Sequence, residues 1–361
     1  MNLPEPITGE ELLAKGPLTV LAIPQATEGE VNATNKESLA SESLSKVPRK
    51  LTHGPKGGLW ITRPSAPRLP NDSSEIWHYS DVAGFIGVIS NSQLWATAVG
   101  NLNDTAESSY GRRLLEQLLI KVRDSRCVHP TQKSYLSFIV DLTNEAFSEE
   151  GLFVACASTA GHSLAQWRTY RGNQGHAVWF DPQQDLAVES KTDVANTVTT
   201  IPHAWKRVLY TEEQQRELLL SGLSMIAYSA PHNSVTEWKD NEAAQSHASL
   251  LAELVADCKE PSFHEEREVR MIVQAPSFGS IQFRASSTGV APYLSLTGAD
   301  RRSSRTTSGN NLLPIIRCVI GPFSALKSSA FAAGLLLKHH DYADVSVEVS
   351  TSTLRQAKRS F

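Results

Sequence analysis

From Glu75 onward, apolar side chains recur at periods that predict a mixture of short strands and helices. Ile76-Trp77-His78-Tyr79 reads as a strand, rich in aromatic and β-branched residues. Asp81 stands where a side-chain oxygen caps a helix running to about residue 90, with Val82, Phe85, Ile86 and Ile89 on one side. A polar loop is expected at 101–104. Leu114, Leu115, Leu118, Leu119 and Val122 form a helical stripe over 107–123, and a second helix is expected over 131–148. The stretch from Leu152 to Ser158, apolar through Ala157, predicts a buried strand, followed by a short helix over 163–169, a turn over 171–174 and a strand over 176–180. Residues 205–210 read as a strand that enters a helix at Thr211, where Thr211-Glu-Glu-Gln214 has the form of a capping box. Helices follow to about 228 and over 234–257. Strands are expected over 267–274, 280–285, 292–296 and 314–320, then a helix over 323–337 and a strand over 344–350. There is no internal repeat and no regular alternation of strand and helix. The fold class this predicts is α+β, with mixed or antiparallel sheets flanked by helices.

The first seventy of the 361 residues differ from the rest. They hold 9 of the 18 prolines and one aromatic residue, Trp60, and residues 28–45 are too polar to offset the entropy of ordering them. Residues 1–70 therefore read as a largely extended or flexible leader, and 71–361 as a single α+β domain. Removing the leader is expected to leave the fold intact. The net charge of −4 comes from 34 basic and 38 acidic residues, so no global basic excess points to nucleic acid. Cys127, Cys156, Cys258 and Cys318 lie far apart and form no Cys-x-x-Cys pair, which fits a reducing compartment. No apolar run approaches the length of a membrane span and no secretory signal is visible. The expectation is a cytoplasmic protein with no membrane partner.

Several signatures of chemistry are absent. There is no phosphate-binding Walker loop, no dinucleotide fingerprint and no nucleophile elbow. His264-Glu265 begins like a zinc-protease motif, but Glu268 occupies the position of the second histidine, so no metal is expected there. The informative stretch runs from His264 to Val273. Read at period two, Glu266, Glu268 and Arg270 share one face of a strand, with neighbours about 6.5–7 Å apart. Two carboxylates so placed can divide the work of glycosidic cleavage, one stabilising an oxocarbenium-like centre and the other orienting the nucleophile. The same pattern also describes a strand face whose charges pair with neighbours.

Six pieces stand in order over residues 75–356: Trp77-His78-Tyr79 followed by Leu94-Trp95; Asn103-Asp104 with Glu107; Ala155 to Ser158; Gln166 to Tyr170 with Gly175 and Phe180-Asp181; Lys259 with Phe263 and Glu266-x-Glu268-x-Arg270; and Ile320-Gly321-Pro322 with the closing stretch 350–355. Together they resemble the bacterial domain of unknown function 2971. Ala157 stands where that family usually carries a bulky aromatic residue. The order of histidine, tyrosine and glutamate further resembles the ADP-ribosyltransferase fold. That likeness implies an ADP-ribosyltransferase-like core with NAD as substrate. His78, with Tyr79 beside it, would hold a ribose hydroxyl. Tyr170 would stack on nicotinamide, with Trp167 nearby. Glu268 would stabilise the oxocarbenium ribose, with Glu266 as the second glutamate and Arg270 on phosphate.

The resemblance implies ADP-ribosyl transfer to protein or nucleic acid, or NAD hydrolysis, of the kind found in toxins and anti-phage defence. Two other readings stand beside it. One is a sensor or interaction module that binds a nucleotide or peptide. The other is a nuclease using Asp104, Glu107, Glu266 and Glu268 around a divalent ion. Convergence of His78, Tyr170 and Glu268 in one cleft favours the transferase; carboxylates that are paired and saturated favour the binding module.

Overall fold

The computed structural model describes residues 64–69, 75–102, 105–125, 128–148, 151–169, 175–191, 196–201, 205–230, 238, 241–286, 289–299, 312–322 and 326–350. Its described part is α+β, with a mixed sheet flanked by helices. Two compact units arise from interleaved segments, a subdivision that the period of the apolar residues does not reveal.

The first unit contains Tyr110–Ala146 and Thr211–Val255 and is helical. It carries α2 (Thr105–Asp124, from Tyr110), α3 (Pro130–Ser148), α5 (Glu212–Tyr228) and α6 (Glu242–Ala256, to Val255). The expected cap at Thr211 is present, its side chain accepting from the Gln214 N–H. The leucine stripe of α2 is buried as its spacing predicts. Two close approaches need glycine. A Cβ on Gly111 would meet the Val255 carbonyl oxygen at 2.8 Å, and one on Gly222 would meet Leu254 Cδ1 at 2.6 Å.

The second unit holds the sheet. Its strands are β1 (Ile76–Ser80), β2 (Leu94–Ala98), β3 (Leu152–Ser158), β4 (His176–Phe180), β5 (Leu186–Lys191), β6 (Asn196–Ile201), β7 (Lys206–Arg207), β8 (Glu268–Gln274), β9 (Gln282–Ser286), β10 (Gly289–Gly298), β11 (Ile315–Ile320) and β12 (Ser346–Val349). Helices α1 (Val82–Asn91) and α7 (Leu326–His339) pack over the main core, and α4 (Leu164–Thr169) packs against the turn at Pro261–Glu266. Asp81 caps α1 as expected, Oδ1 accepting from Gly84 N at 2.7 Å.

All strand pairings are antiparallel except β11 with β12. The organising feature is a fork at β3. One edge of β3 pairs along its whole length with β8. The other meets β2 at Phe153 and Val154, then β1 at Ser158. From the fork, β1-β4-β11-β12 run one way and β2-β10-β5-β6 the other. One face carries the main core, with Phe153, Ala155, Ala157, Val269, Met271 and Val273 from β3 and β8. The opposite face carries a smaller cluster of Trp77, Tyr79, Trp167, Ala177 and Val319. Gly161 seals that cluster: a Cβ there would lie 2.4 Å from the Trp77 ring.

Three strands escape the sequence reading: β2, β5 and β6. Leu-Trp-Ala-Thr-Ala shows no alternation, because four of its five residues are buried. The β5–β6 pair carries threonine and charged residues that read as loop until their partners are supplied. Residues 64–69, read from sequence as the end of the leader, lie alongside β7. Leu69 N–H donates to the Trp205 carbonyl and Arg207 N–H to the Pro67 carbonyl; Ala66 and Leu69 are buried. The turn at 171–174 lies outside the described residues. Among the described residues no helix is long and apolar enough to cross a membrane.

Two outcomes follow from this packing. A chain beginning at residue 71 should melt lower than one beginning at Pro64, by about 2–3 kcal/mol in stability, because only the shorter chain uncovers the seat of Leu69 and Ala66. Gly161→Ala should lower the melting temperature measurably, since the added methyl collides with a fully buried indole.

Candidate functional site

The site sits on the β3–β8 pair, on the face away from the main core. The register places Cys156 opposite Arg270 and Ser158 opposite Glu268. Antiparallel partners share a face, so Cys156, Ser158, Glu268 and Arg270 form one polar patch. On β7, Lys206 extends it opposite Arg270. The sequence-level prediction that Glu268 and Arg270 share a face therefore holds; Glu266 belongs to the 3-10 turn just before the strand.

This patch is buried and charge-compensated. Arg270 Nε donates to Glu268 Oε1 at 2.7 Å, and its Nη2 donates to Oε2 at 3.1 Å. Nη1 donates to the Ala256 carbonyl at 2.7 Å. From the other side, Lys259 Nζ reaches Glu268 Oε2 at 2.7 Å and Glu266 Oε2 at 2.5 Å. Lys206 Nζ lies 3.6 Å from Asp257 Oδ2. Three cations thus face three carboxylates. Glu268, Arg270 and Lys259 are 7 %, 3 % and 3 % exposed, which leaves little surface for a ligand. Burial alone would raise the Glu268 carboxyl; the charges of Arg270 and Lys259 and their hydrogen bonds outweigh it and hold the group at about 2.

Backbone bonds complete the clamp. Glu268 N–H donates to the Tyr210 hydroxyl at 2.9 Å, and Ser158 Oγ donates to the Glu266 carbonyl at 2.7 Å. Lys259 N–H donates to the Leu209 carbonyl, and Leu209 N–H to that of Asp257. Burial pushes Tyr210 up to about 12. Burial, followed by the charge of Glu268, raises the half-buried Cys156 thiol well above its usual range, so it is not an activated thiolate.

His78 is one strand away but faces the other side. Trp77 pairs with Ser158, which pairs with Glu268, so Trp77 shares the face of Glu268 and His78 projects opposite, its ring 6.5 Å from that of Phe180 in the main core. The expected convergence of His78 with Glu268 in one cleft is therefore not met. His78 instead serves the fork. Its Nδ1–H donates to the Cys156 carbonyl at 3.0 Å, at a point where β3 has β8 on one edge and lies between β2 and β1 on the other. Burial lowers its basicity, so the ring is neutral near pH 7.

The other sequence candidates divide. Tyr79 is buried; its hydroxyl donates to the Ala160 carbonyl and accepts from Ser163 N–H, which fixes the 159–163 loop. Trp167 is 2 % exposed and meets Tyr79 edge-on at 4.7 Å. Tyr170, Asn103 and Asp104 lie outside the described residues, and Glu107 falls in α2 with its side chain likewise outside them. Among the described residues no three His, Cys, Asp or Glu side chains gather as metal ligands. Sequence reasoning did not assign Lys259 the central role it has here. Its only signal was a place in the motif order, because a lysine seven residues before a glutamate has no periodic reason to meet it.

On the same face a second arrangement appears, buried at Trp77 and partly exposed at Trp179 and Arg317. Trp77, Trp179 and Arg317 are register partners on β1, β4 and β11. The two indoles stack at 5.7 Å and 25°, and the Arg317 guanidinium lies 5.1 Å above Trp179. Arg317 also pairs with Glu348 at 3.3 Å, with both side chains partly exposed.

Glu268→Gln should lower stability by about 3–5 kcal/mol, because it leaves buried Lys259 and Arg270 undercompensated. Thermal unfolding of the purified variant checks this; an unchanged melting temperature contradicts the clamp. The pH dependence has a defined sign. The folded carboxyl lies below its unfolded value of about 4.3, so its stabilisation is complete above that pH and is lost as pH falls toward 2. Acid titration of wild type should show this loss between about pH 4.3 and 2, and the Gln variant should lack that component.

No curated protein and no solved structure matches this chain. Residues 166–271 match the family described as Protein of unknown function (DUF2971), a stretch that runs from Gln166 beside Trp167 to Met271 and includes Lys259, Glu266, Glu268 and Arg270, so the family resemblance read from the motifs is met over the segment that builds the clamp.

Proposed function

We propose that this chain is a nucleotide-binding module, and that its Glu-x-Glu-x-Arg segment is a structural clamp rather than the acid group of a glycosyl-transferring enzyme. The observation that carries this reading is the double pairing of Glu268. A carboxylate stabilises a cationic transition state only when its charge is free to act on it. Here that charge is met by Arg270 on one side and Lys259 on the other. The ligand class follows from the Trp77–Trp179–Arg317 row, since a partly exposed indole beside a guanidinium suits a planar base and a phosphate.

A second reading, an NAD-using ADP-ribosyltransferase or NAD glycohydrolase with an ADP-ribosyltransferase-like core, is favoured by one observation. His78 on the first strand touches Cys156, the residue opposite Arg270 on the strand of Glu268. That chemistry requires Lys259 to withdraw from Glu268 and requires an approach to both faces of β3.

The two readings separate in one preparation. Calorimetric titration with NAD and with ADP-ribose should show saturable binding that Trp179→Ala weakens at least about tenfold. Nicotinamide release from NAD should stay at the level of buffer. Release by the wild type that Glu268→Gln abolishes in still-folded protein would establish the enzyme instead. Absence of binding to either nucleotide at millimolar concentration would refute the module.

A further inference from the structure

Helix α7 presents an outward stripe that the core does not explain. Phe331 is 69 % and Leu335 53 % exposed, one helical turn apart. Lys327 and Lys338, both exposed, lie at the two ends of the same stripe, about three turns and 16 Å from each other. Between them Gly334 leaves open space, with no atom within 4 Å of where its Cβ would be. Neighbouring α1 adds Ile86, 45 % exposed, and Gly87, which is equally open. The α1 helix holds no charged residue and α7 no acidic one; the nearest acids in sequence, Asp81 and Asp341, lie beyond the helix ends.

We infer that this face docks an amphipathic helix of a protein partner whose apolar centre is bordered by acidic residues. Three features select that occupant. Exposed Phe331 and Leu335 at helical spacing call for apolar side chains along one face of a helix. Lysines at both ends, without compensating acids on either helix, call for negative charge at both ends of the occupant. A second copy of the chain in antiparallel array would bring Lys327 against Lys338, which is repulsive. The open glycines give the surface the relief of ridges and gaps that a packed helix fills, whereas a bilayer surface needs none. Three large apolar side chains are also few for membrane anchoring.

The test uses the full-length protein and fluorescence anisotropy with labelled, stapled 15-residue helices carrying leucines at i, i+4 and i+7. One probe has glutamates at both ends and the other has lysines. The glutamate probe should bind saturably at 50 mM salt, at least about tenfold tighter than the lysine probe, and should weaken as salt rises. Phe331→Ser should abolish binding. Lys327→Glu combined with Lys338→Glu should reverse the preference between the probes. These side chains are exposed, and unchanged thermal unfolding verifies that each variant folds. Equal binding of both probes, no saturation of the glutamate probe at millimolar concentration, or an intact response in Phe331→Ser would each overturn the inference. So would co-sedimentation with phosphatidylserine vesicles in the absence of glutamate-probe binding, which would assign the face to a lipid surface.

Discussion

The charge of Glu268 holds the centre of the sheet unit together. Its carboxylate is shared between a guanidinium on its own strand and an ammonium from the segment just before that strand. A single buried carboxylate would raise its own pKa and neutralise, and a single buried lysine would lose its proton. Each is tolerated because the other is present. The same pairing ties the chain from Asp257 to Glu266 across the strand pair β3–β8, so the loop and the sheet are ordered by one set of contacts.

The fork at β3 sets a second requirement. A strand that serves two neighbours on one edge has a point where they part, and its backbone groups there need other partners. His78 supplies one by donating to the Cys156 carbonyl. On the far side β8 pairs without interruption from Glu268 to Gln274, and its N-terminal end is the part the ion pairs hold. The histidine and the glutamate are therefore related through β3, one on each face, and each has a structural task that accounts for its burial.

The sheet face opposite the main core carries two environments of different character. Near Glu268 it is closed and neutral. Toward β4 and β11 it becomes half-open, with the Trp179 indole and the Arg317 guanidinium partly exposed beside buried Trp77. In the closed part Glu268 is shared between Arg270 and Lys259, while the half-open part has the partly exposed Trp179 and Arg317, the latter paired with Glu348.

Local chemistry was legible in the chain wherever it acts over a few residues. The caps at Asp81 and Thr211, the leucine stripe of α2, the buried run of β3 and the shared face of Glu268 and Arg270 all follow from spacing alone. The strands β2, β5 and β6 did not, because a fully buried strand loses its alternation and a polar hairpin acquires its meaning only from its partner. The candidate site was half legible: the motif order located its residues, but whether a glutamate is free or spent depends on a lysine whose approach periodicity does not encode. Likewise, the order of His78 and Glu268 along the chain says nothing of which side of β3 each occupies. That depends on strand register, and a shift of one residue reverses the face. Sequence determined the residues and their local geometry; long-range pairing, which sets charge compensation and facing, was determined only when the strands came together.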